Sequence, residues 1–414
     1  MYNSAGIEIR LQVFKARDEV NSREMATRKV YLDHSATTPV AKEVLEAMLP
    51  YFSEKMGNPN SIHAWGREAR KAMEAAREKV AVMIGAGAHE LVFTGSGSAA
   101  DNLAIKGYVW ANRDRGKHIV TSQVEHHAVL DTFKWLGRNG YDVTFLPVNE
   151  YGMVMPDVLK NALRDDTLLV SLIHGNNEVG TVNPVQELGE VCRERGVAFH
   201  IDAVQTAGHM PVDVKNLPVD MLTMSAHKMY GPKGIGALYI RKGIKLVPLV
   251  HGGGQEYGIR SGTENVPEIV GFGAAAELAG KLHERGEMQR ISALRDRMLD
   301  GITTRIPDSF VTGHRTERLP FHGSVCVRHI EGEGILLRLD YAGIAVSSGS
   351  ACTSGSLDPS HVLLAMGLDH ATSHGSVRLT LGKDTTDADI DYLLEKFPPI
   401  VETLRKMSPY KATS

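Results

Sequence analysis

From residue 41 onward the chain keeps switching between two hydrophobic periods, and that alternation limits the folds open to it. "AKEVLEAMLPYF" sets Val44, Leu45, Met48, Leu49 and Phe52 at helical spacing. "GREARKAMEAAREKVAVMIG" repeats the pattern with Met73, Ala76, Val80, Met83 and Ile84. Short apolar runs follow: "LVFT" (91–94), "HIVTS" (118–122), "VTFLPV" (143–148), "TLLVSLIH" (167–174), "VAFHID" (197–202), "DMLTMS" (220–225) and "IGALYI" (235–240). Helix-like segments separate most of them. Strands that are apolar throughout and alternate with helices predict an α/β fold, with a mostly parallel sheet covered on both faces.

Near residue 275 the texture changes. "AELAGKLHERGEMQRISALRDRMLDGI" predicts one long amphipathic helix. After it come "GSVCVRHI" as strand, "EGILLRLDYAG" as helix, the small-residue stretch "SSGSACTSGS", a helix through "PSHVLLAMG", the strand "SVRLTLG" and a final helix over 387–406. The 414 residues exceed what one hydrophobic core usually serves, so two domains are expected. The division expected is a large domain over 41–287 and a smaller α+β domain from 28–40 and 288–414. Residues 1–27 are too acidic for a typical transit peptide and lack the apolar core of a signal peptide, so they are expected to form a flexible extension.

No apolar run approaches the ~18 residues of a membrane span. A net charge of −3 with mixed signs argues against a nucleic-acid or anionic-membrane partner. Cys192, Cys326 and Cys352 are odd in number, far apart and form no CxxC, so neither a disulfide framework nor a zinc knuckle is expected, and a reducing compartment fits best. His370 and His374 have the i,i+4 spacing of zinc ligands but no third ligand, so they are expected to face solvent and no metal is expected.

Ligands of open α/β sheets bind at the carboxyl ends of strands. "GSGSAADN" follows "LVFT" there, a strand-to-helix turn whose N–H groups suit a phosphate, with the Ser98 hydroxyl beside it. A turn of this kind also fits a dinucleotide, or no ligand at all. Asp202 and Gln205 follow "VAFHID", where the carboxylate can balance a cation or cap a helix. Lys228 follows "DMLTMS", flanked by His227 and Tyr230, and is a candidate Schiff-base amine. His126 can stack on a flat ring. Arg378 can clamp a carboxylate with two parallel bonds. Together these describe pyridoxal phosphate holding an amino acid.

"YLDHSATTP", "GNPNSIH", "HGNNEVGTVNPV", "HIDAVQTAG", "SAHKMYGPKGIGALYI", "RSGTENVPEIVGFG" and "SSGSACTSGS" resemble, in order, the segments of cysteine desulfurases of the NifS/IscS type. That group belongs to the class V aminotransferases of fold type I. The resemblance runs from about Val30 to about Pro409. It implies Lys228 as the cofactor-bound lysine, Asp202 facing the ring nitrogen, Gln205 on the ring oxygen and His126 on the ring face. It implies Ser98, Ser225 and His227 on the phosphate, joined by Thr263 from a second subunit, hence a homodimer. Asn177 and Arg378 would hold the substrate carboxylate. Cys352 would be the nucleophile that takes sulfur from L-cysteine, leaving alanine, and passes it to an acceptor such as an iron–sulfur scaffold protein in the cytoplasm. Cys192 and Cys326 are expected to be structural. A selenocysteine lyase or a plain class V aminotransferase is the alternative. The chain departs from the family where the usual T-S-G-x-T-E reads Thr94-Gly95-Ser96-Gly97-Ser98-Ala99, and again at "LPFHGSV" (319–325).

Overall fold

The computed structural model describes residues 28–349 and 359–408. Residues 1–27, and Cys352 with its neighbours, lie outside the described residues. A seven-stranded sheet forms the centre. Its strands are β2 (Leu91–Thr94), β3 (His118–Ser122), β4 (Asp142–Leu146), β5 (Thr167–Ile173), β6 (Ala198–Asp202), β7 (Met221–Ser225) and β8 (Gly236–Ile240), in the order β2-β8-β7-β6-β5-β3-β4. Only β8 runs against its neighbours. The expected mostly parallel sheet is therefore present.

Its two faces bury different side chains, as the two-residue period of a strand requires. Phe199, Ile201, Leu222 and Met224 enter a core shared with helices Ala64–Met83, Val185–Glu194 and Val266–Glu284. Leu169, Ala198 and Met221 enter the opposite core, beneath helices Gly97–Ala111 and His127–Arg138. Covering both faces explains why the strands read as unbroken apolar runs.

The C-terminal part builds an antiparallel sheet in the order β12-β10-β9, from Ser376–Thr380, His322–Val327 and Ser309–Val311. The strand β1 (Val30–Tyr31) pairs in parallel with β11 (Ile344–Ala345), and Asp33 bridges to Thr380. Residues just after the extension thus lie against the C-terminal part.

Two expectations change. The long helix near residue 275 is two helices, Val266–Glu284 and Glu287–Arg305, because Gly286 takes a left-handed φ of +70° between them. The apolar face of the first helix pattern is also only half buried. Val44 and Met48 pack inward, whereas Leu45, Leu49 and Phe52 are exposed.

Candidate active site

The carboxyl ends of β5, β6 and β7 meet the start of helix Gly97–Ala111 and enclose a cavity of about 190 Å³. Arg378, on β12, closes it from the small sheet. Ser98, His126, Asn177, Asp202, Gln205, Ser225, His227, Lys228 and Arg378 all line it. Thr263 does not; it lies exposed on the loop before helix Val266–Glu284. Cys352 falls outside the described residues.

The turn at residues 95–99 is shaped for close approach. Ser96 caps the helix, its hydroxyl accepting the Ala99 N–H at 3.1 Å. A Cβ on Gly97 would stand 2.9 Å from Val204 and 3.4 Å from the Ser225 side chain. Glycine therefore lets the helix start press against the ends of β6 and β7. Ala99, where the family carries glutamate, is exposed and contributes only backbone to this cap.

The cavity floor is acidic and buried. Asp202 is buried, and its Oδ1 accepts the Val204 N–H at 2.9 Å. Asp101 sits beside it, with Oδ1 buried and unpartnered. Burial raises both carboxyls above the usual range, and the neighbouring Asp202 pushes Asp101 further. Behind Asp101, His200 bridges Ser171 at 2.8 Å and Thr223 at 3.0 Å. Gln205 donates to the Ser35 carbonyl at 3.0 Å.

His126 caps helix His127–Arg138, its Nδ1 accepting the Ala128 N–H at 3.1 Å. That bond fixes Nδ1 as the bare nitrogen. Burial, reinforced by the charge of Lys228, lowers the ring to about 4, so it is neutral at physiological pH. His227 is likewise lowered to about 4 by burial and Lys228. The Lys228 ammonium donates to the Ser35 carbonyl at 2.5 Å and the Ala36 carbonyl at 2.9 Å.

The opposite wall is basic. Arg378 is 1% exposed; it donates to the Asn177 carbonyl at 3.1 Å and to Asp33 Oδ1 at 3.1 Å. Asn177 itself is buried at the cavity edge.

These residues fit pyridoxal phosphate. Gly97 leaves a cradle that a Cβ would fill, Asp202 offers a buried carboxylate for a ring N–H, and Lys228 supplies the amine. Sequence reasoning missed Ser35 and Asp101. Ser35 sits in "YLDHSATTP", but its carbonyl does part of the work, and a carbonyl leaves no mark in residue type. Asp101 follows Gly97 by one helical turn, a spacing that could have flagged it.

Aminotransferase class-V is the family whose pattern matches residues 30–393. The chain belongs to the class V aminotransferase family. It is 53% identical over 382 residues to a protein of Methanosarcina thermophila named cysteine desulfurase IscS, covering 92% of this chain and 94% of that one. A protein of the same name from Dictyoglomus turgidum is 53% identical over 384 residues, covering 93% and 97%. Among solved structures, a NifS-like protein superposes with a TM-score of 0.86 at 38% identity, covering 91% of this chain and 100% of that one. A NifS-like protein from Rickettsia africae gives 0.81 at 29% identity, with the same coverage. The fold is that of the family's pyridoxal-phosphate enzymes, fold type I. Among the described residues no helix is long and apolar enough to cross a membrane, and no group of three His, Cys, Asp or Glu could hold a metal ion.

The other expectations about single residues can be set against the structure. Cys192 and Cys326 are free and buried, as expected of structural thiols. Burial pushes the Cys326 thiol up to about 12 and Cys192 higher still, so neither is a nucleophile near neutral pH. His370 and His374 are exposed.

Proposed function

We propose that this chain is a pyridoxal-phosphate-dependent cysteine desulfurase. It converts L-cysteine to L-alanine and moves the sulfur onto Cys352, from which an acceptor protein such as an iron–sulfur scaffold collects it. The observation that carries the reading is the meeting of Lys228, Asp202, His126 and Arg378 in one cavity of a chain about half identical to proteins of that name.

When bound, pyridoxal phosphate supplies an electron sink for the bond-breaking at the substrate α-carbon. The turn at Gly97 and Ser98, with Ser225 and His227, would hold its phosphate; Asp202 would pair with its ring nitrogen, Gln205 with its ring oxygen, and neutral His126 would stack on the ring. Arg378 and Asn177 take the substrate carboxylate. Lys228 moves the proton at the α-carbon, from a position beside the Ser35 and Ala36 carbonyls that steady its ammonium form. The Cys352 thiol attacks the substrate sulfur. One C–S bond breaks and one S–S bond forms, so L-cysteine and a thiol become L-alanine and a persulfide.

The same reading includes a homodimer in a reducing, cytoplasmic setting. Leu45, Leu49, Phe52, Met56, Ile62 and Trp65 are all exposed, Ile62 at 91%. Asn60, within this stretch, donates to both oxygens of Glu264, next to Thr263. Apolar surface continuous with the Thr263 loop suits a second copy that receives Thr263 at its phosphate. The two-domain division fits β1 pairing with β11.

The test is alanine formation from L-cysteine by the cofactor-loaded protein, with mass spectrometry of the Cys352 peptide. One added sulfur there, and a loss of several powers of ten in Cys352→Ala with cofactor absorbance unchanged, is the expected result. Near-normal alanine production by Cys352→Ala would replace this reading with a lyase.

A further inference from the structure

"LPFHGSV", where the chain departs from its family, places His322 at the start of β10. The register sets Ser324 opposite Arg378 and His322 opposite Thr380. Side chains two apart on a strand share a face. His322 and Arg378 therefore project from the same side of the small sheet, toward the turn that carries Asn177.

Both reach one atom there. His322 Nε2 donates to the Asn177 carbonyl at 3.1 Å, and Arg378 Nη1 donates to the same oxygen at 3.1 Å. The ring is fully buried, and its Nδ1 is a buried atom without a partner. Burial, with Arg318 and Arg378 nearby, holds the imidazole uncharged, so the one ring proton sits on Nε2.

The site is built to keep the ring in place. Gly180, in the Asn177 turn, has φ +80°, and a Cβ there would stand 2.7 Å from His322 Nδ1. Arg318 fastens the surrounding backbone, donating to the carbonyls of Val179 at 2.8 Å, His322 at 3.2 Å and His314 at 2.8 Å. A buried nitrogen left bare is unfavourable. The arrangement is understandable if the Nε2 bond matters more.

We infer that His322 is a positioning residue for recognition of the substrate carboxylate: by sharing the Asn177 carbonyl with Arg378, it aligns the two groups that receive that carboxylate. This rests on the proposed desulfurase reading. His322 touches no substrate and takes no part in bond-making.

The test compares L-cysteine with cysteamine, which keeps the amine and thiol but lacks the carboxylate. His322→Asn retains a polar side chain too short to reach Asn177. It should raise KM for L-cysteine roughly three- to tenfold, the size of one lost hydrogen bond. Its kcat should stay within about twofold and inhibition by cysteamine should not change. His322→Gln places an amide N–H near Nε2 and should restore KM. Gly180→Ala leaves His322 in the sequence but displaces the ring, and should reproduce His322→Asn; it decides the matter if His322→Asn does not fold. Unchanged KM in both variants, or equal weakening of L-cysteine and cysteamine, would overturn the inference while leaving the function standing. A wild type that makes no alanine from L-cysteine would instead remove the function itself.

Discussion

The cavity has two walls of opposite character, and their difference sets the direction in which ligands can lie. Asp101 and Asp202 line the sheet side, both buried, and Glu125 lies buried near them without lining the cavity. Arg378 lines the small-sheet side, also buried. Charge held in a buried, low-dielectric site attracts opposite charge strongly, so each wall favours a ligand group of the opposite sign. The acidic floor suits a protonated ring nitrogen and the basic wall suits a carboxylate. Lys228 stands between them, its ammonium on backbone carbonyls.

The middle position should be the most sensitive. Lys228→Ala removes the amine while leaving both walls intact. Turnover should fall by several powers of ten, and the visible absorbance of the cofactor-loaded protein should be lost. Normal alanine production by this variant would detach the chemistry from the place where the two walls meet.

Breaking the floor should come next, and there the two aspartates should differ. Only one carboxylate has a ring nitrogen to face, and burial beside Asp202 favours the neutral form of Asp101. Asp202→Asn should cost about a hundredfold in kcat/KM, because a neutral amide no longer favours a charged ring; this is on the order of 3 kcal/mol. Asp101→Asn imitates the protonated acid and should stay within about threefold of wild type. Steady-state rates at pH 7.5 decide this, and equal losses would show that both acids carry charge.

The basic wall is tested by keeping its charge and changing its shape. Arg378→Lys retains a cation but loses the planar fork that binds Asn177 and Asp33 together. KM for L-cysteine should rise roughly tenfold or more, with a smaller change in kcat. A variant with unchanged KM would mean that charge alone suffices at this wall.

The floor was easier to read in the sequence than the wall. Asp202, Lys228 and Ser225 each end or follow an apolar strand run, so periodicity marks them. Arg378 sits within a strand whose other residues read as core, and only the fold brings it to Asn177, 201 positions away. Asp101 was missed because a lone acid inside a helix pattern looks solvated. Glycine is tolerated inside an amphipathic pattern, so the break at Gly286 was invisible. Leu45, Leu49 and Phe52 follow a core period although they lie at the surface, because a pattern of hydrophobicity cannot tell a core from a face awaiting a partner.

The smallest effect on activity, and the clearest pH signature, belongs to Glu125. Its carboxyl is fully buried; Oε1 accepts the Ser122 hydroxyl at 2.5 Å and Oε2 has no partner. Burial raises it from 4.5 to about 8, against the opposing effect of the Ser122 bond. Between those values the folded protein holds a proton that the unfolded chain has released. Stability from this group is therefore fully present below about pH 4.5 and is lost as pH rises toward 8. Glu125→Gln cannot titrate, and its amide oxygen can keep the Ser122 bond. Urea unfolding of wild type and variant should thus converge or favour wild type near the acid end of the window. By pH 8 the variant should gain on the order of a few kcal/mol relative to wild type. Activity at pH 7 should be nearly unchanged, since Glu125 does not line the cavity. A constant stability difference from pH 5 to pH 8 would show that the acid is ionised throughout. One more buried negative charge would then lie near Asp101 and Asp202, and a single cation facing Asp202 would no longer balance the sheet side.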